Sequence, residues 1–441
     1  MTEATATVPM PLTNRRVLAV AVPIVLSNAT IPLLGVVDTG VIGQLGSAAP
    51  IGAVGMGAVI LASIYWVFSF LRMGTTGLVA QAHGAGRNTG VHLMRALVIG
   101  LGAGALFIAT QWLWMRAAFA LSPASPEVEA LARQYLQIRI WGAPATIALY
   151  AVNGWLIGAE RTRAVMVLQL VITVTNIVLA LWFVLGLAWG VPGVAAATLV
   201  AEWAGLALGL WLARHAIVPA LRRADLFARD QMVRFARVNS DIMVRSILLQ
   251  GAVTAFMFLG AGLGDVTLAA NQVLLQFLQI TAYALDGFAF AAETLVGQAV
   301  GAGRPASVRR AAVLTSQWAL AGAALLAVAF WVGGGPIIDL LTVAPDVRGA
   351  AREYLPWLAA VPLVGVAAWM LDGVFIGATL TAEMRRAMMA AVGLYVVAVV
   401  VLMPVMGNHG LWAALTILNL TRAVMMYRLY PAAERAALAN A

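Results

Sequence analysis

Ala132-Arg133-Gln134-Tyr135-Leu136 returns as Ala351-Arg352-Glu353-Tyr354-Leu355, an offset of 219 residues (132 to 351). Gly154-Trp155-Leu156-Ile157-Gly158 returns as Gly373-Val374-Phe375-Ile376-Gly377 at the same offset. Gln81-Ala82-His83-Gly84-Ala85-Gly86-Arg87 returns as Gln298-Ala299-Val300-Gly301-Ala302-Gly303-Arg304 at 217 (81 to 298). Matches held in nearly one register through a 441-residue chain describe a duplication, and self-similarity of this kind constrains a fold before any single motif does. The surroundings of the matched stretches decide what unit was duplicated.

Those surroundings are apolar. The chain is 62% hydrophobic and 10% charged, with a mean hydropathy of +0.92, outside the range of soluble domains. A spanning helix needs ~20 mostly apolar residues, and such stretches lie near 17–43, 51–82, 91–119, 128–158, 163–187 and 192–214, then near 236–261, 268–300, 307–332, 347–377, 385–404 and 410–430. No strand-like alternation is present, so of the two structures that satisfy a backbone in lipid the helix bundle is chosen. The expected fold is all-α and integral to the membrane, with twelve transmembrane helices in two parallel six-helix repeats around a central cleft. The expected domains are an amino-terminal lobe over 1–214, a connector over 215–235 and a carboxy-terminal lobe over 236–441.

Charge sets the orientation. All 27 basic residues are arginine, and they gather at alternate helix ends: Arg15 and Arg16, Arg87, Arg161 and Arg163, the connector, Arg304 to Arg310, Arg385 and Arg386, then Arg428 and Arg435. Positive residues mark cytoplasmic loops, which places both termini and the connector in the cytoplasm of a multi-pass inner-membrane protein. The net charge of +9 is thereby explained without nucleic acid. After Glu3, Arg15-Arg16 precede an apolar run with no small-residue cleavage site, so they read as the flank of an uncleaved first helix. Cysteine is absent and the four histidines are scattered, which leaves no disulfide framework and no zinc pattern; neither metal nor cofactor is expected. The glycines of Gly52-Ala53-Val54-Gly55-Met56-Gly57 lie inside an apolar span with no preceding strand, and read as helix packing rather than nucleotide binding.

A charge at the bilayer centre costs at least ~2.5–3.5 kcal/mol, so ionisable groups within spans are candidates for function. They are Asp38, Arg72, Arg139, Glu202, Asp241, Arg245, Asp286, Glu293 and Asp372. Asp38 is the one acid of the first span and follows Pro23 and Pro32, each of which removes a backbone hydrogen bond and offers a bend. In the eighth span Asp265, Gln272, Gln279, Asp286 and Glu293 recur every seven residues, almost two turns, and form one polar stripe. Gln279, Asp286 and Glu293 are expected to line the cleft. Asp372 and Asn153, which the repeat aligns, complete that expectation, at mid-membrane where transporters hold their substrates. Asp241 and Arg245, four apart with the acid first, predict an intrahelical pair. The partners of Glu202 and Arg139 are not identified at this level.

Val36-Val37-Asp38-Thr39-Gly40-Val41-Ile42-Gly43-Gln44-Leu45-Gly46, the run from Glu293 to Ala302 and the duplicated Ile-Gly ends resemble the multidrug and toxic compound extrusion (MATE) family. Arg139-Ile140-Trp141-Gly142-Ala143-Pro144-Ala145, Asn153-Gly154-Trp155 and Asp286-Gly287-Phe288-Ala289 are most similar to its DinF branch. The resemblance implies a monomeric antiporter, not an enzyme, that exports small cationic or amphipathic compounds against inward H+ or Na+ by alternating access between two lobes. It implies an ion-coupling set of Asp38, Asn176 and Thr198. Where many relatives carry an acid four residues after the asparagine, this chain has Ala180, and a hard cation favours several oxygen ligands; the departure points to protons. Arg72, Arg139 and Arg245 keep a lipid or glycan-lipid flippase of related architecture as the alternative.

Overall fold

Helix is the conformation in which a single segment satisfies its own backbone in lipid. The computed structural model describes residues 12–44, 47–121, 125–223 and 225–439, and among them there is helix and no strand. Glu3, and Leu45 and Gly46 at the end of the first-span motif, lie outside the described residues. The order is α1 (Asn14–Ala29), α2 (Ile31–Gly43), α3 (Ala48–Val67), α4 (Phe70–Gly84), α5 (Gly90–Ala109), α6 (Gln111–Leu121), α7 (Pro126–Arg139), α8 (Ala143–Gly158), α9 (Thr162–Leu181) and α10 (Val191–Leu221). It continues through α11 (Arg229–Ala261), α12 (Asp265–Gly301), α13 (Pro305–Leu341), α14 (Pro345–Gly377), α15 (Thr381–Met406), α16 (Asn408–Leu429) and α17 (Pro431–Leu438). Eleven stretches are long and apolar enough to cross a membrane, and α16, with 22 residues, supplies the twelfth. Helix runs on to Leu221 and resumes at Arg229, so the non-helical part of the connector is shorter than the sequence suggests.

The interruptions have local causes. Pro32 has no N–H to give to the carbonyl four residues back, and the first span breaks at Thr30, whose hydroxyl donates to Ser27 O at 2.7 Å. Pro32 thus occupies the first turn of α2, where the missing N–H costs nothing, while Pro23 sits inside an unbroken α1. Pro144 likewise lies four residues after Ile140, and α7 passes to α8 through a 3-10 turn at Ile140–Gly142. The α5–α6 break at Thr110 involves no proline. Its hydroxyl donates to Leu106 O at 2.9 Å and the Trp114 indole to Phe107 O at 3.1 Å, so side chains take over carbonyls that the helix leaves open.

Contacts divide the chain into two compact units. The amino-terminal unit is Leu26–Val79 with Asn88–Phe235; the carboxy-terminal unit is Ala236–Ala441 with Ala80–Arg87 and the described part of Met1–Val25. The repeat is visible inside each. In the amino-terminal unit a Cβ on Gly154 would stand 2.5 Å from Arg72 O, and one on Gly158 2.6 Å from Thr76 O. In the carboxy-terminal unit the same approach recurs: Gly373 would meet Ala289 O at 2.6 Å and Gly377 would meet Glu293 O at 2.5 Å. Both pairs of carbonyls are 217 residues apart (72 to 289, 76 to 293), so the duplicated Gly-x-x-x-Gly is one packing device used twice, a small-residue groove that lets two helix backbones touch.

The carboxy-terminal unit is further fixed by apolar and polar clusters. Phe256, Phe277, Phe330 and Trp412 pack in its core. Asn271 and Asn408 exchange hydrogen bonds at 2.8 and 3.0 Å, and the Trp412 indole donates to Asn271 Oδ1 at 3.0 Å, which bolts α12 to α16.

Candidate functional site

Asp38 lies on α2, beyond the break at Thr30. This helix packs against α3, α9, α10 and the π-helical turn Trp182–Gly186 that follows α9. The side chain is half-buried, and its Oδ1 is sealed from solvent with no hydrogen-bond partner among the described residues. Removing a carboxylate oxygen from water without supplying a donor is costly, and that oxygen has no structural partner here. The positive charge of Arg139 and the phenol of Tyr135 act on it across the same unit.

Asn176 and Thr198, which the resemblance singled out, are brought together. Asn176 on α9 donates to Thr198 Oγ1 on α10 at 2.8 Å, and the threonine hydroxyl donates to Val194 O at 3.1 Å. Asn176 is fully buried, yet its Oδ1 has no partner among the described residues. Two orphaned oxygens, on Asp38 and on Asn176, therefore occur on α2 and α9, which pack together. Ala180 is buried one turn further along α9 and brings no oxygen.

The geometry names the partners that the sequence left open. Arg139, at the end of α7, grips Glu202 on α10 with both terminal nitrogens, at 2.6 and 2.8 Å, and both side chains are buried. Gly142 makes the room: a Cβ there would collide with Glu202 Oε2 and approach Arg139 to 3.0 Å. Tyr65 and Tyr135 share this polar pocket with the pair. The sequence marked Tyr135 only as part of the repeat and Tyr65 not at all, since tyrosine within an apolar span reads equally well as an ordinary interfacial anchor.

In the carboxy-terminal unit Asp372 on α14 is clamped by two arginines, Arg245 of α11 and Arg422 of α16, both of which donate to its Oδ2. Arg422 was absent from the sequence-derived set. The expected intrahelical pair of Asp241 and Arg245 is not formed: Asp241 accepts from Arg385 at 2.5 Å and from Thr381 at 3.1 Å. Spacing of four permits such a pair, but both side chains are buried and each meets a stronger partner on a neighbouring helix. Asn153, on α8 of the amino-terminal unit, has an orphaned buried Oδ1. The polar stripe of α12 is graded: Asp265, Gln272 and Gln279 are exposed, Asp286 is half-buried and Glu293 is buried. Pro23 and Pro32 flank the break that precedes Asp38 on the chain.

A duplicated bundle of membrane-crossing helices with incompletely paired polar groups inside its spans defines the class: a polytopic transport protein. The MatE family model matches residues 23–182 and 242–404, one stretch in each repeat. The chain is 40% identical over 408 residues to DNA damage-inducible protein F of Escherichia coli strain K12, covering 90% of this chain and 87% of that protein. It is 27% identical over 381 residues to the "Probable multidrug resistance protein NorM" of Rhizobium meliloti, covering 82% and 79%. The fold superposes on the Vibrio cholerae MATE transporter VcmN in its bent form with a TM-score of 0.84 at 19% identity, covering 97% of this chain and 98% of that one. The protein belongs to the MatE family and lies in its DinF-like branch.

Proposed function

We propose that this protein exports drug-like or toxic compounds across the inner membrane by proton antiport, with alternating access and with Asp38 as the coupling acid. The observation that carries this reading is the orphaned Asp38 Oδ1 on a helix that begins just after a break. The names of the relatives support the substrate class, since one similar protein bears the name "Probable multidrug resistance protein NorM". A proton completes Asp38 and removes a charge that the bilayer penalises by ~2.5–3.5 kcal/mol; its loss restores that charge. Binding and release of one proton thus toggles the electrostatics next to the hinge-like break, and a compound that favours one state is moved when the gradient drives the other.

Asp372 also has a buried Oδ1 without a hydrogen-bond partner among the described residues, and the contrast that supports an amino-terminal assignment is one of charge. An acid held by two arginines is already neutralised and gains little from a proton. Two of the three arginines that kept a flippase reading open are similarly engaged: Arg139 by Glu202 and Arg245 by Asp372. Sodium in place of the proton is the second reading, favoured by the unpartnered Asn176 Oδ1, since hard cations take oxygen ligands.

Proteoliposomes loaded with a fluorescent cationic dye, with the proton and sodium gradients imposed separately, test the proposal. Dye export is expected with the proton gradient alone, and export with sodium alone would transfer the coupling to Na+. Asp38→Asn is expected to insert and bind dye normally yet lose gradient-driven export; near-normal export would remove Asp38 from the mechanism.

A further inference from the structure

A groove of about 900 Å³ lies in the carboxy-terminal unit, lined by α13, α14 and the junction of α16 with α17. One end holds Arg309, Arg428, Tyr430 and Glu434. The remainder is mostly apolar, with Ser316 and Gln317 as its polar members on α13: Val366, Met370 and Val374 form a buried floor, and Val313 and Leu320, 47% and 51% exposed, form a rim. Eleven residues of α13 separate Arg309 from Leu320, about 16 Å at 1.5 Å per residue, or half of the ~30 Å hydrocarbon thickness. The groove is therefore about one leaflet deep, basic at the water end and mostly oily along its length.

Two arginines against one glutamate leave one positive charge at the head of the groove. That matches a single phosphodiester, and basic pockets between membrane helices are where anionic headgroups are recognised. Tyr430, whose hydroxyl is closed off from water, brings a further polar group beside Glu434. A free anion would account for the arginines but not for the apolar floor behind them; a neutral lipid would account for the floor but not for the arginines.

We propose that this groove seats one anionic phospholipid, its phosphodiester on Arg309 and Arg428 and an acyl chain along Val313, Leu320 and Val366. The positive-inside orientation makes the leaflet the cytoplasmic one, and the proposal rests on that orientation. It is independent of how transport is coupled.

Native mass spectrometry and thermal unfolding of delipidated full-length protein, titrated with phosphatidylglycerol, phosphatidylethanolamine or inorganic phosphate, test the seat. Phosphatidylglycerol should be retained and should raise the unfolding temperature, with phosphatidylethanolamine at least tenfold weaker and phosphate without effect. R309Q/R428Q should weaken phosphatidylglycerol retention by roughly tenfold or more, at about 1 kcal/mol per basic residue and 1.4 kcal/mol per decade. Leu320→Trp, which fills the groove from an exposed position, should do the same without changing charge. Unchanged retention in both variants, equal retention of the two lipids, or full stabilisation by phosphate alone would each overturn the proposal. Dye export is not the readout, so failure here leaves the coupling reading untouched.

Discussion

Asp38 and Asp372 are chemically identical acids inside membrane helices, and their surroundings give them opposite prospects. Asp372 sits between Arg245 and Arg422, all three buried. Replacing it by asparagine leaves two buried guanidinium groups without a counter-charge, and breaking a buried pair in this way costs ~3–5 kcal/mol. Asp372→Asn is therefore expected to lower the thermal unfolding midpoint in detergent clearly, and an added Arg245→Gln to recover part of the loss. An unchanged midpoint would show that the clamp contributes no stability. The sequence marked Asp372 as a candidate for the cleft because its alignment with Asn153 showed where the repeats differ. It could not show the clamp, since Arg245 and Arg422 lie 127 and 50 residues away (372 to 245 and to 422) and meet it only through packing.

At the scale of elements, periodicity and prolines were legible because they act locally. All twelve stretches read from hydropathy are helices, and the break near Pro32 follows from one missing N–H. The break at Thr110 was not legible, because it depends on a threonine and a tryptophan capturing carbonyls, which those residues do only in some helices. The duplicated glycines were visible as sequence and acquire their meaning as contacts. Gly154→Val and Gly377→Val each place side-chain atoms against a carbonyl that a bare Cβ would already meet at 2.5 Å. Both variants are expected to lose most monodisperse protein on detergent extraction, whereas Gly55→Ala, with open space around its Cβ, should behave as the parent chain. Equal yields would remove the backbone contact as a determinant of folding.

For the molecule as a whole, the orientation rests on the arginine alternation, and one side-chain contact places part of the connector. Arg95, near the start of α5, donates to Leu226 O at 2.7 Å and to Asp225 O at 3.2 Å. The residues joining α10 to α11 thus lie at the same end of the amino-terminal unit as the start of α5. Because the chain lacks cysteine, Asp225→Cys gives a single thiol. It is expected to react with an impermeant maleimide in inverted vesicles and not in right-side-out ones, and the reverse pattern would invert the topology.

The division into units follows contacts, and the chain enters the carboxy-terminal unit three times, with its first described helix, with Ala80–Arg87 and from Ala236 onward. Val20, Ala21 and Ile24 pack against Ala291, a residue that the ribosome adds about 270 positions later. At ~5–20 residues per second, the first helix waits for roughly 10–50 s before its apolar partners exist, while Leu26–Val79 and Asn88–Phe235 can assemble as soon as they emerge. The order of synthesis and the order of assembly are therefore different, and the amino-terminal helix is the segment that a chaperone or the insertion machinery must hold longest.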